Sequence, residues 1–120
     1  MTGKPTVLIV EDEEMLLNAV AMEFEDAGFT VLCAGTAEEA YGLLQEGRAI
    51  DLLFTDIRLP GQLDGWDLAE HARDLHPALP VIYVTGYSTE QPRQVSESTL
   101  VMKPYRMTAI MSAARQLGVG

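Results

Sequence analysis

The chain has little cysteine, little positive charge and no long apolar run. Its one cysteine, Cys33, excludes an intrachain disulfide, and we expect it to be a small buried residue of a strand. Eight Lys and Arg against 18 Asp and Glu give a net charge of −10, which argues against binding to nucleic acid or anionic membranes. No stretch approaches the roughly 18 apolar residues that span a bilayer, and no secretory signal is visible, so a cytoplasmic location is expected.

The length and the alternation of patterns predict one domain of the α/β class. A chain of 120 residues can bury a core but is too short for two ordinary domains, so we expect one domain over residues 1–120. Short apolar runs alternate with segments of helical periodicity, which is typical of a parallel sheet with crossover helices. The predicted strands cover residues 6–10, 30–34, 51–55, 80–84 and 100–102.

About five helices are predicted between and after these strands. The second begins at a capping-box pattern, Thr36 with Glu39, and the third runs from about Trp66 to Leu75. The polar segment 88–98 has little apolar periodicity, so at most a short helix is expected there. The last helix carries an apolar stripe that we interpret as core, formed by Met107, Ile110, Met111 and Ala114.

Chemically reactive residues follow several of the predicted strands. Glu11 and Asp12 follow the first strand and Asp56 follows the third, while Thr85 and Lys103 end the fourth and fifth. Ligands of open parallel sheets bind beyond the carboxyl ends of the strands, so these side chains should share one site. Packed acids repel unless a cation is bound or some stay protonated, and hard oxygen ligands favour Mg²⁺. Such a site suits phosphoryl chemistry beside a divalent metal.

Four short motifs at these strand ends occur in a familiar order. They read Val10-Glu11-Asp12-Glu13, Thr55-Asp56-Ile57-Arg58-Leu59-Pro60-Gly61, Val84-Thr85-Gly86 and Lys103-Pro104-Tyr105. Together they resemble the receiver domains of two-component response regulators, and the resemblance covers essentially the whole chain. It implies a flavodoxin-like, doubly wound sheet of five parallel strands in the order 2-1-3-4-5.

The same resemblance implies a function for Asp56. Asp56 would be the phosphoacceptor, a carboxylate nucleophile that takes a phosphoryl group from phosphohistidine on a histidine kinase or a histidine phosphotransfer protein. The chain would then be a stand-alone receiver that signals to a downstream protein by contact. It would not be an enzyme, apart from catalysing its own phosphorylation and dephosphorylation.

The resemblance also implies the roles of the residues around Asp56. The Mg²⁺ ligands would be Asp12, Glu11 directly or through water, Asp56 and the backbone carbonyl of Arg58. The Thr85 hydroxyl would bind the phosphoryl group, and Lys103 would pair with Asp56 or its phosphate. The Lys103–Pro104 bond would be cis. Taken alone, Asp12 could simply cap the first helix.

The chain departs from the usual receiver pattern in three places. Leu100 stands where receivers usually carry the Tyr or Phe whose rotation reports phosphorylation. The segment between Thr85 and Lys103 is about four residues shorter than usual, so a shortened or mobile element is expected there. The loop after Asp56 is one residue longer, and a similar loop occurs in receivers of alphaproteobacteria. Arg58 and Tyr87 could lie over the phosphoryl group and slow its hydrolysis.

Three other functions remain open for such a sequence. A Mg²⁺-dependent aspartyl-phosphate hydrolase resembling the haloacid dehalogenases needs a second acid two residues after the nucleophile, where this chain has Arg58. A flavin-binding module would need a phosphate loop after the first strand, where this chain has acids. A degenerate receiver that acts as an adaptor without accepting phosphate would not need Asp56, Thr85 and Lys103.

Overall fold

The computed structural model describes residues 3–86 and 93–120 as alternating strands and helices. The strands are β1 (Thr6–Val10), β2 (Thr30–Ala34), β3 (Leu52–Asp56), β4 (Val81–Thr85) and β5 (Ser98–Met102). The helices of the described residues are α1 (Glu14–Asp26), α2 (Ala37–Gln45), α3 (Gly65–Leu75) and α4 (Met107–Gln116). The polar segment predicted over 88–98 falls partly outside this description, as does Tyr87, and its described residues 93–97 are not helical.

The five strands form one parallel sheet in the order β2-β1-β3-β4-β5, which confirms the predicted topology. Two strands end one residue later than the sequence indicated. Asp56 pairs with Val84, and Thr85 pairs with Met102, so both predicted site residues are the last paired residues of their strands. Their side chains therefore project from the sheet itself, which holds them more firmly than a following loop would.

Helices cover both faces of the sheet. One core cluster joins α2 and α3 to the face that contains Leu8, Leu53 and Tyr83, and the other joins α1 and α4 to the opposite face. Both central strands β3 and β4 are buried along their whole length, as expected for strands with helices on each side. The methionine-bearing stripe of α4 packs into the second cluster, which confirms that it belongs to the core.

The edge strand β2 is less covered, and this makes one prediction wrong. Cys33 was expected to be buried, but it is exposed. It pairs in register with Ile9, a fully buried residue of β1. Apolar composition predicted a strand correctly, but it could not tell an edge strand from a central one.

The capping pattern of α2 is present with one change of partner. The Thr36 hydroxyl accepts the Glu39 N–H at 3.0 Å, as predicted. The Glu39 carboxylate, however, accepts the N–H of Gly35 at 2.7 Å rather than that of the cap residue. A complete capping box forms instead at α3, between Asp64 and Asp67.

Candidate functional site

Three acids converge at the carboxyl edge of the sheet. One oxygen from each of Glu11, Asp12 and Asp56 lies within 4.8 Å of the others. Glu11 and Asp56 are buried, whereas Asp12 is exposed at the rim. Asp12 is not the cap residue of α1, because the cap position is Glu13, whose side chain makes no capping hydrogen bond. The acids are thus arranged as a group that could hold a divalent metal.

The carboxylate of Asp56 is fixed at both oxygens. Its Oδ2 lies 2.8 Å from the Nζ of Lys103, and its Oδ1 accepts the N–H of Ile57 at 3.1 Å. The backbone of Ile57 is held in turn, since its N–H also donates to the carbonyl of Val84 at 3.1 Å. Each oxygen of the carboxylate therefore makes one contact with the protein.

Lys103 connects the strand ends on both sides of Asp56. Its ammonium group also contacts Glu11 Oε1 at 3.3 Å, and its backbone N–H donates to the Thr85 carbonyl at 2.8 Å. Burial lowers the pKa of Lys103, but the hydrogen bond and charge of Asp56, together with Glu11, outweigh it and raise the pKa overall. The ammonium form is thus favoured at the site. The Lys103–Pro104 bond is cis.

The electrostatics of Glu11 show how crowded the acids are. Burial raises the pKa of Glu11, the Glu13 N–H that donates to Oε2 at 3.0 Å opposes this, and the nearby Asp56 raises the pKa further. Three carboxylates face a single ammonium, so the ionised cluster carries an excess of negative charge. A bound divalent cation would remove this excess, and carboxylate oxygens are suitable donors for a hard one.

The other two predicted residues, Thr85 and Arg58, are not part of the acidic cluster itself. Thr85 is buried as the last residue of β4. The side chain of Arg58 is exposed, two residues beyond Asp56. The implied contact of Arg58 with a metal uses its backbone carbonyl, so an exposed side chain is compatible with it.

Gly65 is a site residue that the sequence analysis missed. Its N–H donates to the Ile57 carbonyl at 2.7 Å, which docks the first turn of α3 onto the backbone after Asp56. A Cβ at this position would overlap the carbonyl oxygen of Asp56 and lie 2.8 Å from the Cα of Ile57. Only glycine permits this approach. A glycine at the first helical position of α3 was the available signal.

Aromatic side chains extend from the site along α3 and β4. Trp66 follows Gly65 and is buried against Tyr83, with ring centroids 4.7 Å apart. The hydroxyl oxygen of Tyr83 accepts the N–H of Val95 at 3.1 Å. Tyr83 is also the ladder partner of Leu100, the position where an aromatic was expected and is missing. A ring with a hydroxyl tip therefore stands on β4 beside that position.

Comparison with known proteins identifies the family. A sequence model of the response regulator receiver domain matches residues 7–115. The transcriptional regulatory protein AruR of Pseudomonas aeruginosa is 33% identical over 98% of this chain, which spans 50% of AruR. The chain belongs to the response regulator receiver domain family, whose members act in signalling.

Solved structures agree with this assignment. A response regulator receiver protein from Sinorhizobium medicae superposes with a TM-score of 0.90 at 33% identity, covering 95% of this chain and 94% of that one. The receiver domain of the hybrid histidine kinase CckA gives a TM-score of 0.80 at 31% identity, covering 93% and 97%. Within the described residues, no helix combines the length and apolar character needed to cross a membrane.

Proposed function

We propose that this chain is one receiver domain over residues 1–120 that accepts a phosphoryl group on Asp56. The observation that carries the proposal is the setting of that carboxylate. It is buried, it is held by Lys103 and the Ile57 N–H, and it shares a 4.8 Å cluster with Glu11 and Asp12. Family membership supports the phosphoacceptor role over a hydrolase, and the exposed basic Arg58 stands where a hydrolase would need an acid.

The phosphoryl donor is a phosphohistidine on a histidine kinase or a histidine phosphotransfer protein. A carboxylate oxygen of Asp56 attacks phosphorus, the P–N bond breaks, and the imidazole leaves with the electron pair. The product is an acyl phosphate. In this proposal Lys103 stays with Asp56 and compensates the added negative charge, and the Thr85 hydroxyl binds a phosphoryl oxygen. Water then attacks phosphorus, the bond between the Asp56 oxygen and phosphorus breaks, and inorganic phosphate leaves, which restores the carboxylate.

Mg²⁺ is the metal that best fits the acidic cluster. Asp12, Glu11, Asp56 and the carbonyl of Arg58 would hold it, because they supply only hard oxygen donors. When bound, Mg²⁺ would neutralise the crowded carboxylates and draw in the oxygens of the incoming phosphoryl group. The exposure of Asp12 leaves the cluster open on the side from which a phosphoryl donor would approach.

The output of the domain is contact with another protein in the cytoplasm. A net charge of −10 disfavours nucleic acid and anionic membranes as partners, and favours a protein with a basic surface. The chain is similar to the receiver of the hybrid histidine kinase CckA, which supports a histidine kinase as the upstream partner. Apart from its own phosphorylation and dephosphorylation, the domain is proposed to have no catalytic activity.

Phosphorylation by a small donor tests this function. The protein is incubated with acetyl phosphate and Mg²⁺, and its intact mass is measured. We expect a phosphate-sized increase that requires Mg²⁺, disappears in Asp56→Asn and persists in Asp74→Asn, a matched change at an exposed acid of α3.

Two results would contradict the proposal. An adduct that survives in Asp56→Asn would place the phosphoryl group elsewhere. A parent protein that binds Mg²⁺ but accepts phosphate neither from acetyl phosphate nor from a phosphorylated histidine kinase would be a degenerate receiver acting as an adaptor.

A further inference from the structure

The loop between β3 and α3 is fixed by contacts at its base and near its end. At the base, the Gly65 N–H donates to the Ile57 carbonyl at 2.7 Å and closes residues 57–65 into a ring. Near the end, the Asp64 N–H donates to Asp67 Oδ2 at 3.1 Å as part of the α3 capping box. Arg58, whose carbonyl is the proposed metal ligand, lies in the ring between these points.

A further anchor of this loop comes from a different helix, in addition to Leu59 and Leu63, which pack against the core. Glu38, in the first turn of α2, accepts the N–H of Gln62 at 2.9 Å and that of Leu63 at 3.2 Å, both on its Oε2. The carboxylate thus binds two consecutive backbone amides, an arrangement that suits an anion. The N–H of Glu38 itself, at the helix terminus, lowers the pKa of this carboxyl most, and the N–H groups of Gln62 and Leu63 lower it further.

The loop is also shaped to admit this carboxylate. Gly61 has a φ of +96°, in the region that favours glycine, and a Cβ there would lie 2.9 Å from Glu38 Oε1. The backbone of the loop therefore approaches the acid more closely than another residue at position 61 would allow. The fit between loop and carboxylate depends on both Gly61 and Glu38.

We propose that Glu38 is a positioning residue for the metal site, and that it acts by holding the loop that presents the Arg58 carbonyl. The proposal rests on the function given above. With Ile57 fixed at one end and Gln62 fixed at the other, the path of the intervening residues is restrained. Without Glu38, Gln62 and Leu63 lose their acceptor and the carbonyl of Arg58 samples more orientations, so part of the binding free energy of the metal is lost in ordering it.

A charge effect must be separated from this positional one. Glu38 is itself negative, so any neutral replacement reduces the attraction of the domain for a cation. Glu38→Gln removes the charge but keeps a side-chain oxygen that can accept both N–H groups. Glu38→Ala removes the charge and the acceptor together. Glu46→Ala, at the exposed C-terminal end of α2, is a control for the loss of one surface charge.

The experiment uses two measurements on the full chain. Hydrogen exchange of residues 62 and 63 is followed without metal, and Mg²⁺ binding is titrated through the fluorescence of the buried Trp66 at constant ionic strength. We expect faster exchange in Glu38→Ala, with Mg²⁺ affinity about three- to tenfold weaker, below the roughly 10- to 100-fold typical for a direct partner of a ligand. Glu38→Gln and Glu46→Ala should stay within about twofold of the parent.

The outcomes are distinct. Equal weakening in Glu38→Gln and Glu38→Ala would assign the effect to charge and overturn the positioning role. Unchanged Mg²⁺ affinity in Glu38→Ala, in a parent that binds Mg²⁺, would also overturn it while leaving the proposed function intact. A parent that fails to bind Mg²⁺ would instead contradict the proposed function.

Discussion

The acidic site and the connection before β5 are held by different kinds of contact. At the site, buried Glu11 and Asp56 share the ammonium of Lys103, and the backbone beyond Asp56 is pressed against Gly65. In the connection, residues 93–97 have no regular structure and are tied to α3 by Arg73 and Arg93. The two regions are linked through β4 and α3, since both elements contact each of them.

Two arginines hold the connection by different kinds of contact. Arg73 donates to the carbonyls of Leu79 at 2.6 Å and Glu97 at 3.1 Å, and also to the carbonyl of Ser96. Arg93 instead pairs with carboxylates of α3, although its side chain is 45% exposed. Exposed ion pairs contribute little to stability and are screened by salt. Part of the connection is thus held by exposed ion pairs that water and salt weaken, whereas Glu11 and Asp56 of the site are buried.

The largest expected effect follows from enlarging Gly65. In Gly65→Ala the new methyl group overlaps the Asp56 carbonyl, so β3 and α3 must separate. We expect a loss of about 3 kcal/mol in the free energy of unfolding, measured by urea titration, together with slower phosphorylation by acetyl phosphate. Gly42→Ala is the control, because a Cβ there meets nothing within 4 Å and should stabilise α2 by about 0.5–1 kcal/mol. Equal stabilities for the two variants would show that the contact at Gly65 is not tight.

A smaller effect is expected where the connection meets β4. Tyr83→Phe removes only the hydroxyl that accepts the Val95 N–H, and leaves the ring against Trp66. The free energy of unfolding should fall by about 1 kcal/mol, and hydrogen exchange should become faster only at residues 93–97. Tyr41→Phe, which removes a hydroxyl from α2, should leave this exchange unchanged. Faster hydrogen exchange at Asp56 and Ile57 would instead show that the acidic site and the connection before β5 are tightly coupled.

The smallest effect is expected for Arg93→Gln, which removes the pairs with Asp67 and Glu70. The free energy of unfolding should fall by at most about 0.5 kcal/mol at low salt, and the two proteins should be equally stable at high salt. The Asp64 N–H lowers the pKa of Asp67 most, and Arg93 lowers it further. The stabilisation from the ion pair with Arg93 is therefore present above about pH 4 and is lost as the pH falls through the depressed pKa of Asp67. Urea titrations at several pH values and salt concentrations measure it. A large, salt-independent loss would mean that the connection is as firmly built as the site.

The sequence predicted the sheet and the identity of the converging side chains. The approach of Glu11, Asp12 and Asp56 follows from two apolar runs that end in acids, whereas the strand order was implied by the resemblance to receiver domains. Gly65 and Glu38 were missed because their roles depend on contacts with backbone elsewhere in the chain; a glycine at the start of α3 was a signal for the first, and no local pattern indicates the second. Cys33 was wrongly predicted as buried, since burial depends on the position of a strand in the sheet.

The pairing of Tyr83 with Leu100 has a consequence for comparing this domain with its relatives. These paired residues of neighbouring strands pack in the same core cluster as α3, and the space in that cluster is limited. A large ring on one strand leaves room for only a smaller side chain on the other. Alignments that score position 100 alone would therefore record a lost aromatic. Scored as a pair, positions 83 and 100 of this chain still supply one aromatic ring and one hydroxyl, both on β4.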